Sequence, residues 1–381
     1  MKSDREKTTA VLLLNLGGPD SISAVKPFLF NLFSDREIIR LGPSFMQKPL
    51  AYLISSLRGR KTEDAYKLIG GKSPILDITN AQAKALEEEL NKLGVRSEEP
   101  ETLTPHSPLI EATPPNRPLS KITPPCPPLV RGGLGGVRVY VGMRYWHPLI
   151  EDTVEKMKSD GIDRIFALSL YPQYSVATTG SSLSKLKEII SKYPMEIFSI
   201  KSWHDHPLYV DALVEKIMKG MELFNLQSLP PLSSPLPRGG WGGDVHVLFS
   251  AHSLPVKFIN EGDPYVDHVK ATISEIIKEI DIRWDLSYQS KSGPVQWLEP
   301  STDKMIEELA QRGIKNVLVV PVSFVSDHIE TLYEIDILYK NMAASKGIRL
   351  ERVESLNTSP LFISALKDIV LKGMEEAGWD G

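Results

Sequence analysis

The chain has 381 residues, 41% of them hydrophobic, with 44 Lys+Arg against 48 Asp+Glu. That length supports a substantial core spread over two or three domains, and the charge lacks the basic excess that phosphate-backbone binding requires, so no nucleic acid partner is expected. A single cysteine, Cys126, excludes an internal disulfide framework, a cysteine zinc finger and a four-thiolate iron–sulfur cluster within one chain, and suits a reducing cytoplasm.

The opening segment MKSDREKTTAVLLLNLGGPD places acids before an apolar run too short for a secretory signal, so AVLLLNL reads as a buried first strand. No stretch approaches the ~20 apolar residues of a spanning helix, which restricts membrane contact to the periphery. Residues 41 to 57, LGPSFMQKPLAYLISSL, are apolar with few charges and fit either a buried helix or an exposed apolar surface. Residues 78 to 93 follow with helical periodicity, and then a Pro/Ser-rich stretch runs to Gly136. Its end, PPCPPLVRGGLGG, shares a framework with PLSSPLPRGGWGG at 231 to 243, so about 97–136 and about 228–243 read as two related insertions. A phosphate cradle needs a strand before its glycines and a helix after them; here a strand follows, which favours surface loops.

Downstream, VRVYVGM, RIFALSLYP, MEIFSI, DVHVLFSAHS, YQSKSG, NVLVVPV and RLERVESL read as strands alternating with helices such as 302 to 312. This rhythm predicts an α/β fold of parallel sheets flanked by helices, with ligands gathered beyond the carboxyl ends of the strands. The residues just after each strand are therefore the candidates. GMRYWHP supplies Arg144 and Tyr145, and YPQYSVATTGSSL supplies Tyr171 and Tyr174, a set suited to a large flat apolar ligand bearing carboxylates. SAHSLP places His252, the side chain poised for proton exchange near neutral pH, at a strand end, where a structural role competes with a catalytic one. In SFVSDHIETLYEID a helix is expected from about Asp327, with Asp327, Glu330 and Glu334 on one face. A D-x-x-E capping pair accounts for Asp327 and Glu330, while Glu334 leaves a cation or proton path and a solvated acidic face as alternatives. No H-E-x-x-H, G-x-S-x-G, Walker loop or G-x-G-x-x-G occurs.

In order, LLLNLGGPD, YKLIGGKSPI, GMRYWHP, LYPQYSVATTGSSL, FSAHSLP, GDPY, YQSKSGPVQWLEPSTD and SDHIETLYEID resemble the ferrochelatases, which insert ferrous iron into a porphyrin in haem biosynthesis, over about Ala10 to Ala377. The resemblance implies two Rossmann-like domains with a porphyrin cleft between them, spanning 8–190 and 191–360, with 361–381 as a C-terminal helix packing back on the first. It implies a lyase acting on protoporphyrin IX, with coproporphyrin III or another tetrapyrrole as the alternative substrate and a non-catalytic tetrapyrrole carrier as the rival class. His252 and Glu330 are implied as the catalytic pair, set for proton acceptance first and transient metal contact second. Arg144, Tyr145, Tyr171 and Leu16 are implied at the porphyrin, Asp327, His328 and Glu334 along a proton or metal path, and residues 41 to 57 on the cleft lip, where a membrane surface is a further contact. Iron is then a substrate, and Val176 in YPQYSV with the single cysteine implies no iron–sulfur cluster or other cofactor.

Overall fold

In the computed structural model, which describes residues 7–92, 136–224, 245–291 and 295–379, the apolar runs become parallel strands. The first half contains β1 (Thr9–Asn15), α1 (Val25–Ser34), α2 (Gln47–Leu68), α3 (Ile75–Asn91), β2 (Arg138–Met143), α4 (Ile150–Ser159), β3 (Arg164–Ser169), α5 (Ser181–Ile190) and β4 (Glu196–Ile200). The second contains α6 (Pro207–Glu222), β5 (Val245–His252), α7 (Val256–Asn260), α8 (Tyr265–Glu279), β6 (Trp284–Gln289), α9 (Thr302–Gln311), β7 (Asn316–Pro321), a π-helix (Glu330–Tyr339), α10 (Lys340–Ser345), β8 (Arg349–Arg352) and α11 (Pro360–Glu376). The two insertions lie outside the described residues, apart from Gly136.

Two four-stranded sheets result, in the orders β2-β1-β3-β4 and β6-β5-β7-β8, and every pairing is parallel. Each sheet thus repeats one topology, in which connections leave in opposite directions from two adjacent central strands, β1 and β3 or β5 and β7. A crevice opens at the carboxyl ends of such a pair. In the first sheet that crevice lies between Leu16 and Tyr171; in the second, between His252 and the chain leading to Glu330.

Strand periodicity divides the core. In the first sheet Ala10, Leu12, Leu14, Ile165 and Ala167 face α4 and α5, while Val11, Leu13, Phe166 and Leu168 join the central core. The second sheet does likewise, with Leu248, Val317 and Val319 on its outer face and Val247, Phe249, Leu318 and Val320 in that same central core. Helix α11 contacts both α3 and α6 in the middle layer, and reaches β3 and β4 as well.

Two boundaries differ from expectation. A division at 190/191 would separate β4 from β3, yet Ile165↔Ile197 and Phe166↔Phe198 are paired in one sheet, so β4 belongs to the first half. The strand expected over YQSKSG lies earlier, over Trp284–Gln289, because Ser290 turns into the left-handed region at φ 67° and ends it.

Gly373 marks how tightly α11 seats on the first sheet: a Cβ there would lie 2.6 Å from Phe166 Cζ and 3.1 Å from Ile200 Cδ1. Gly373→Ala is expected to destabilise the fold by about 2 kcal/mol through overpacking, read as a lower midpoint in urea unfolding at unchanged slope.

Candidate active site

The second crevice is built from strand ends. Parallel pairing sets His252 opposite Gln289, at the last residues of β5 and β6. Gln289 is anchored on the strand side by Ser250, whose Oγ donates to its Oε1 at 2.6 Å, and its Nε2 donates to the Glu330 carbonyl at 3.2 Å. The start of the π-helix is thereby tied to the end of the sheet. His252 N–H donates to Ser323 Oγ at 2.9 Å, holding the histidine against the chain that leaves β7.

His252 Nδ1 lies 2.8 Å from Glu330 Oε2. Burial pulls the imidazole down, but the Glu330 charge, this hydrogen bond and the Glu334 charge together hold it above its usual range. Glu330 is held well below the carboxylate range: burial opposes ionisation, and the His252 charge and hydrogen bond overcome it. Glu334 goes the other way, raised to about 7 by burial and by the Glu330 charge. Ser290 Oγ stands between the two acids, 2.8 Å from Glu330 Oε2 and 2.6 Å from Glu334 Oε2. A hydroxyl has one hydrogen to give, so it can donate to only one of them, and the other contact is a hydrogen bond only when that carboxyl is protonated. An ionised Glu330 and a protonated Glu334 satisfy both contacts. Sequence reasoning missed Ser290, although its place one residue beyond a strand end was the available signal.

The expected stripe of three carboxylates is corrected by the fold. The segment from Glu330 winds as a π-helix with i→i+5 bonds instead of an α-helix starting at Asp327. Asp327 turns away: its Oδ1 accepts from Arg352 Nη1 at 3.0 Å, Ser355 Oγ at 2.8 Å and Thr331 Oγ1 at 3.1 Å, and its Oδ2 accepts from Asn357 Nδ2 at 2.9 Å. The expected capping pair is replaced: Asp327 N–H donates to Asn357 Oδ1 and not to the Glu330 carboxylate, and the Asp327 oxygens are taken by the side chains just named. Asp327 is thus the ionised partner of a nearly buried arginine. His328 is buried, donates Nδ1–H to the Ser326 carbonyl at 3.0 Å, and packs on Phe324, whose ring is edge-on to His252. Burial holds its pKa below the usual value.

The first crevice brings Leu16 and Tyr171 near this pair. Burial and then the Glu330 charge raise the Tyr171 phenol, as they raise Tyr66 on α2, and Ile329 packs into the cluster of Phe28, Tyr66 and Tyr145. Arg144 and Tyr145, implied at the porphyrin by the resemblance, share an acidic partner within the wall. Asp35 Oδ2 accepts from Arg144 Nη2 at 2.6 Å, Tyr145 Oη at 2.6 Å and Ser181 Oγ at 2.8 Å. The Arg144–Asp35 pair is 17% and 8% exposed, and Tyr145 is buried, so both residues brace the wall internally. Asp35 was not legible as their partner because it lies far away in sequence.

A ferrochelatase family model matches residues 8–113 and 117–374. The ferrochelatase of Geotalea uraniireducens (strain Rf4) is 45% identical over 96% of this chain and 97% of its own length. The chain belongs to the ferrochelatase family. The ferrochelatase of Gloeothece citriformis (strain PCC 7424) is 42% identical over 96% of this chain and 82% of its own length. Among solved structures, SirB from Bacillus subtilis with Fe3+ has a TM-score of 0.45 at 14% identity, over 65% of this chain and 86% of its own. As a ferrochelatase this chain is an enzyme, not a carrier, and it inserts ferrous iron into a porphyrin for haem synthesis.

Removing one partner of a buried ion pair strands the other. Asp35→Ala is expected to cost about 3–5 kcal/mol, while Tyr145→Phe, which deletes one hydrogen bond, costs about 1 kcal/mol; paired thermal and urea melts measure both.

Proposed function

We propose that the porphyrin is protoporphyrin IX, and that His252 accepts the pyrrole protons which Glu330, Ser290 and Glu334 then carry away. The observation that supports this most is the His252 Nδ1 to Glu330 Oε2 contact of 2.8 Å at the mouth of the β5/β7 crevice. Metal insertion releases two N–H protons from the macrocycle, so the site needs a base and an outlet. With Nδ1–H bonded to Glu330, His252 takes the pyrrole proton on Nε2 and passes the Nδ1 proton to Glu330. Once Glu334 has lost its proton to solvent, Ser290 turns its hydroxyl toward Glu334, accepts the Glu330 proton and hands on its own. Glu330 is again a carboxylate and Glu334 again an acid. The step conserves protons and needs no resident cofactor, since iron enters as substrate. Brief contact of Fe²⁺ with His252 and Glu330 is the competing role for the same side chains. In the lyase reaction so drawn, Leu16 and Tyr171 form the opposite wall against the ring, while Asp327 and His328 hold the π-helix in place.

The lip carries a second part of the proposal. Phe45 (76% exposed), Tyr52 (69%), Leu53 (53%) and Leu57 (73%) leave the start of α2 uncovered, so the segment is no buried helix. Lys48, Arg58, Arg60 and Lys61 share that helix. Among the described residues no helix is long and apolar enough to cross a membrane, and an apolar stripe with basic neighbours suits peripheral contact with an anionic lipid surface.

Anaerobic mixing with Fe²⁺ and protoporphyrin IX should quench porphyrin fluorescence with multiple turnovers. His252→Ala and Glu330→Gln should lower kcat by about 10²–10⁴-fold with porphyrin binding retained. Full activity in both variants would refute the assignment, and faster turnover of coproporphyrin III would change the substrate.

Because Glu330 and Glu334 hold His252 above its usual value, kcat/KM should rise with pH through that raised value as the base becomes neutral. Glu334 adds its charge to this effect only as it ionises near pH 7, so in Glu334→Gln, which cannot ionise, the acid limb should move to lower pH where it extends to that range; an unmoved limb there would argue against His252 as the base.

For the lip, a Phe45→Ser, Tyr52→Ser, Leu57→Ser variant should lose co-sedimentation with phosphatidylglycerol vesicles while keeping its activity on detergent-dispersed porphyrin. Unchanged sedimentation would remove the membrane reading.

A further inference from the structure

Away from the active site, two histidines from different halves of the molecule stack face to face. His204 follows β4 of the first sheet, and His268 lies on α8 of the second; their ring centroids are 3.9 Å apart with planes 7° from parallel. The surrounding hydrogen bonds assign the ring protons. Ser202 Oγ donates to the Pro172 carbonyl at 3.0 Å, so at 2.6 Å from His204 Nδ1 it accepts from an Nδ1–H. His268 Nδ1, also 3.2 Å from Ser202 Oγ, is an acceptor, because the Tyr174 backbone N–H donates to it at 3.2 Å. Thr272 Oγ1 is shared between the His204 and His268 carbonyls, at 2.8 and 3.1 Å.

We propose that the stacked His204 and His268 form an acid-sensitive latch fastening the Tyr171–Val176 loop of the first half to helix α8 of the second. The latch depends on a bare nitrogen: Tyr174 N–H can bond only to an unprotonated His268 Nδ1. Protonating His268 ejects that donor, and protonating both rings sets two cations face to face. Next along the loop, the Val176 N–H and Ser175 Oγ donate to Asp263 Oδ2 at 2.7 and 2.9 Å, and Gln173 Nε2 donates to Thr272 Oγ1 at 3.0 Å, so His268 holds the loop between two further side-chain anchors from the second half, neither of which needs a bare histidine nitrogen. A cavity of about 590 Å³, lined in part by Tyr174, Val176, Phe258 and Asp263, borders the loop and leaves it room to move.

The charged groups around the pair are acidic. Asp205 beside His204, Asp267 on α8 and Asp263 at the turn before it all favour protonation, yet burial outweighs them and holds both imidazoles below their usual value, with the His268 charge adding to the effect at His204. Neutral histidines stabilise the closed loop fully above the ordinary histidine range, and that contribution is lost as pH falls through about 6.5 toward the lower value of the closed state. The loop carries Tyr171, so its release would loosen the wall opposite Glu330.

Hydrogen exchange of the peptide spanning residues 170–180, corrected for the intrinsic pH dependence of exchange, tests the latch without any turnover. One proton taken up on opening predicts faster exchange at pH 5.5 than at pH 7.5, by up to about tenfold, with the β5 peptide unchanged. In His268→Asn, whose side-chain oxygen accepts from Tyr174 N–H at either pH, the acceleration should vanish. His204→Phe, which keeps a ring on the stack, should retain it. No acceleration in the wild type, or equal acceleration in His268→Asn, would overturn the proposal.

Discussion

The hydrogen bond between His252 Nδ1 and Glu330 Oε2 is the interaction on which the proposed chemistry depends, and much of the second sheet serves to hold it. Its two residues arrive from β5 and from the chain beyond β7, which are adjacent only because the strand order is β6-β5-β7-β8. The bond also sorts the two glutamates. By drawing Glu330 into the ionised state it leaves Glu334, nearby in the same buried pocket, as the acid that gains by keeping its proton. Ser290 reads out that difference because its one hydroxyl hydrogen cannot serve two anions. The left-handed backbone at Ser290, which costs of order 1 kcal/mol in a residue with a Cβ, sits at the point where the side chain reaches both acids.

The stem of the π-helix that carries Glu330 is fixed by other means. Gln82 on α3, fully buried, donates to Ser326 Oγ at 3.0 Å and to the Asn357 carbonyl at 2.8 Å, bonding the first half to the segment that holds Asp327. Asn357 in turn binds Asp327, and Asp327 binds Arg352, so the stem of the π-helix is tied to the shared layer of α3, α6 and α11. Arg144 and Asp35 do the same for the first crevice. The charges nearest the cleft therefore fall into two kinds: pairs that cancel internally and brace the walls, and the Glu330 group, whose charges remain coupled to the protonation of His252 and Glu334.

Much of the architecture was legible in the chain. Seven of the eight strands appeared as β-branched or leucine-rich runs because buried parallel strands leave little room for polar residues, and His252 and Glu330 stood out as candidates because ligands in such folds gather at strand ends. Legibility failed where distant segments decide. The 190/191 boundary missed β4 because pairing partners are not written locally, and Asp327 looked like a cap because Arg352 and Asn357 were out of view. YQSKSG looked like a strand because a single residue at positive φ leaves no mark in hydrophobicity.

The sequence by itself determined the fold class, the family and the residue types available for proton transfer, since these follow from periodicity and from motifs contiguous in the chain. Only the tertiary structure decided which carboxylate is ionised, which arginine is already paired and which serine links two acids. Those properties belong to desolvation and to charges a few ångströms apart, and both exist only after residues hundreds of positions apart have been brought together.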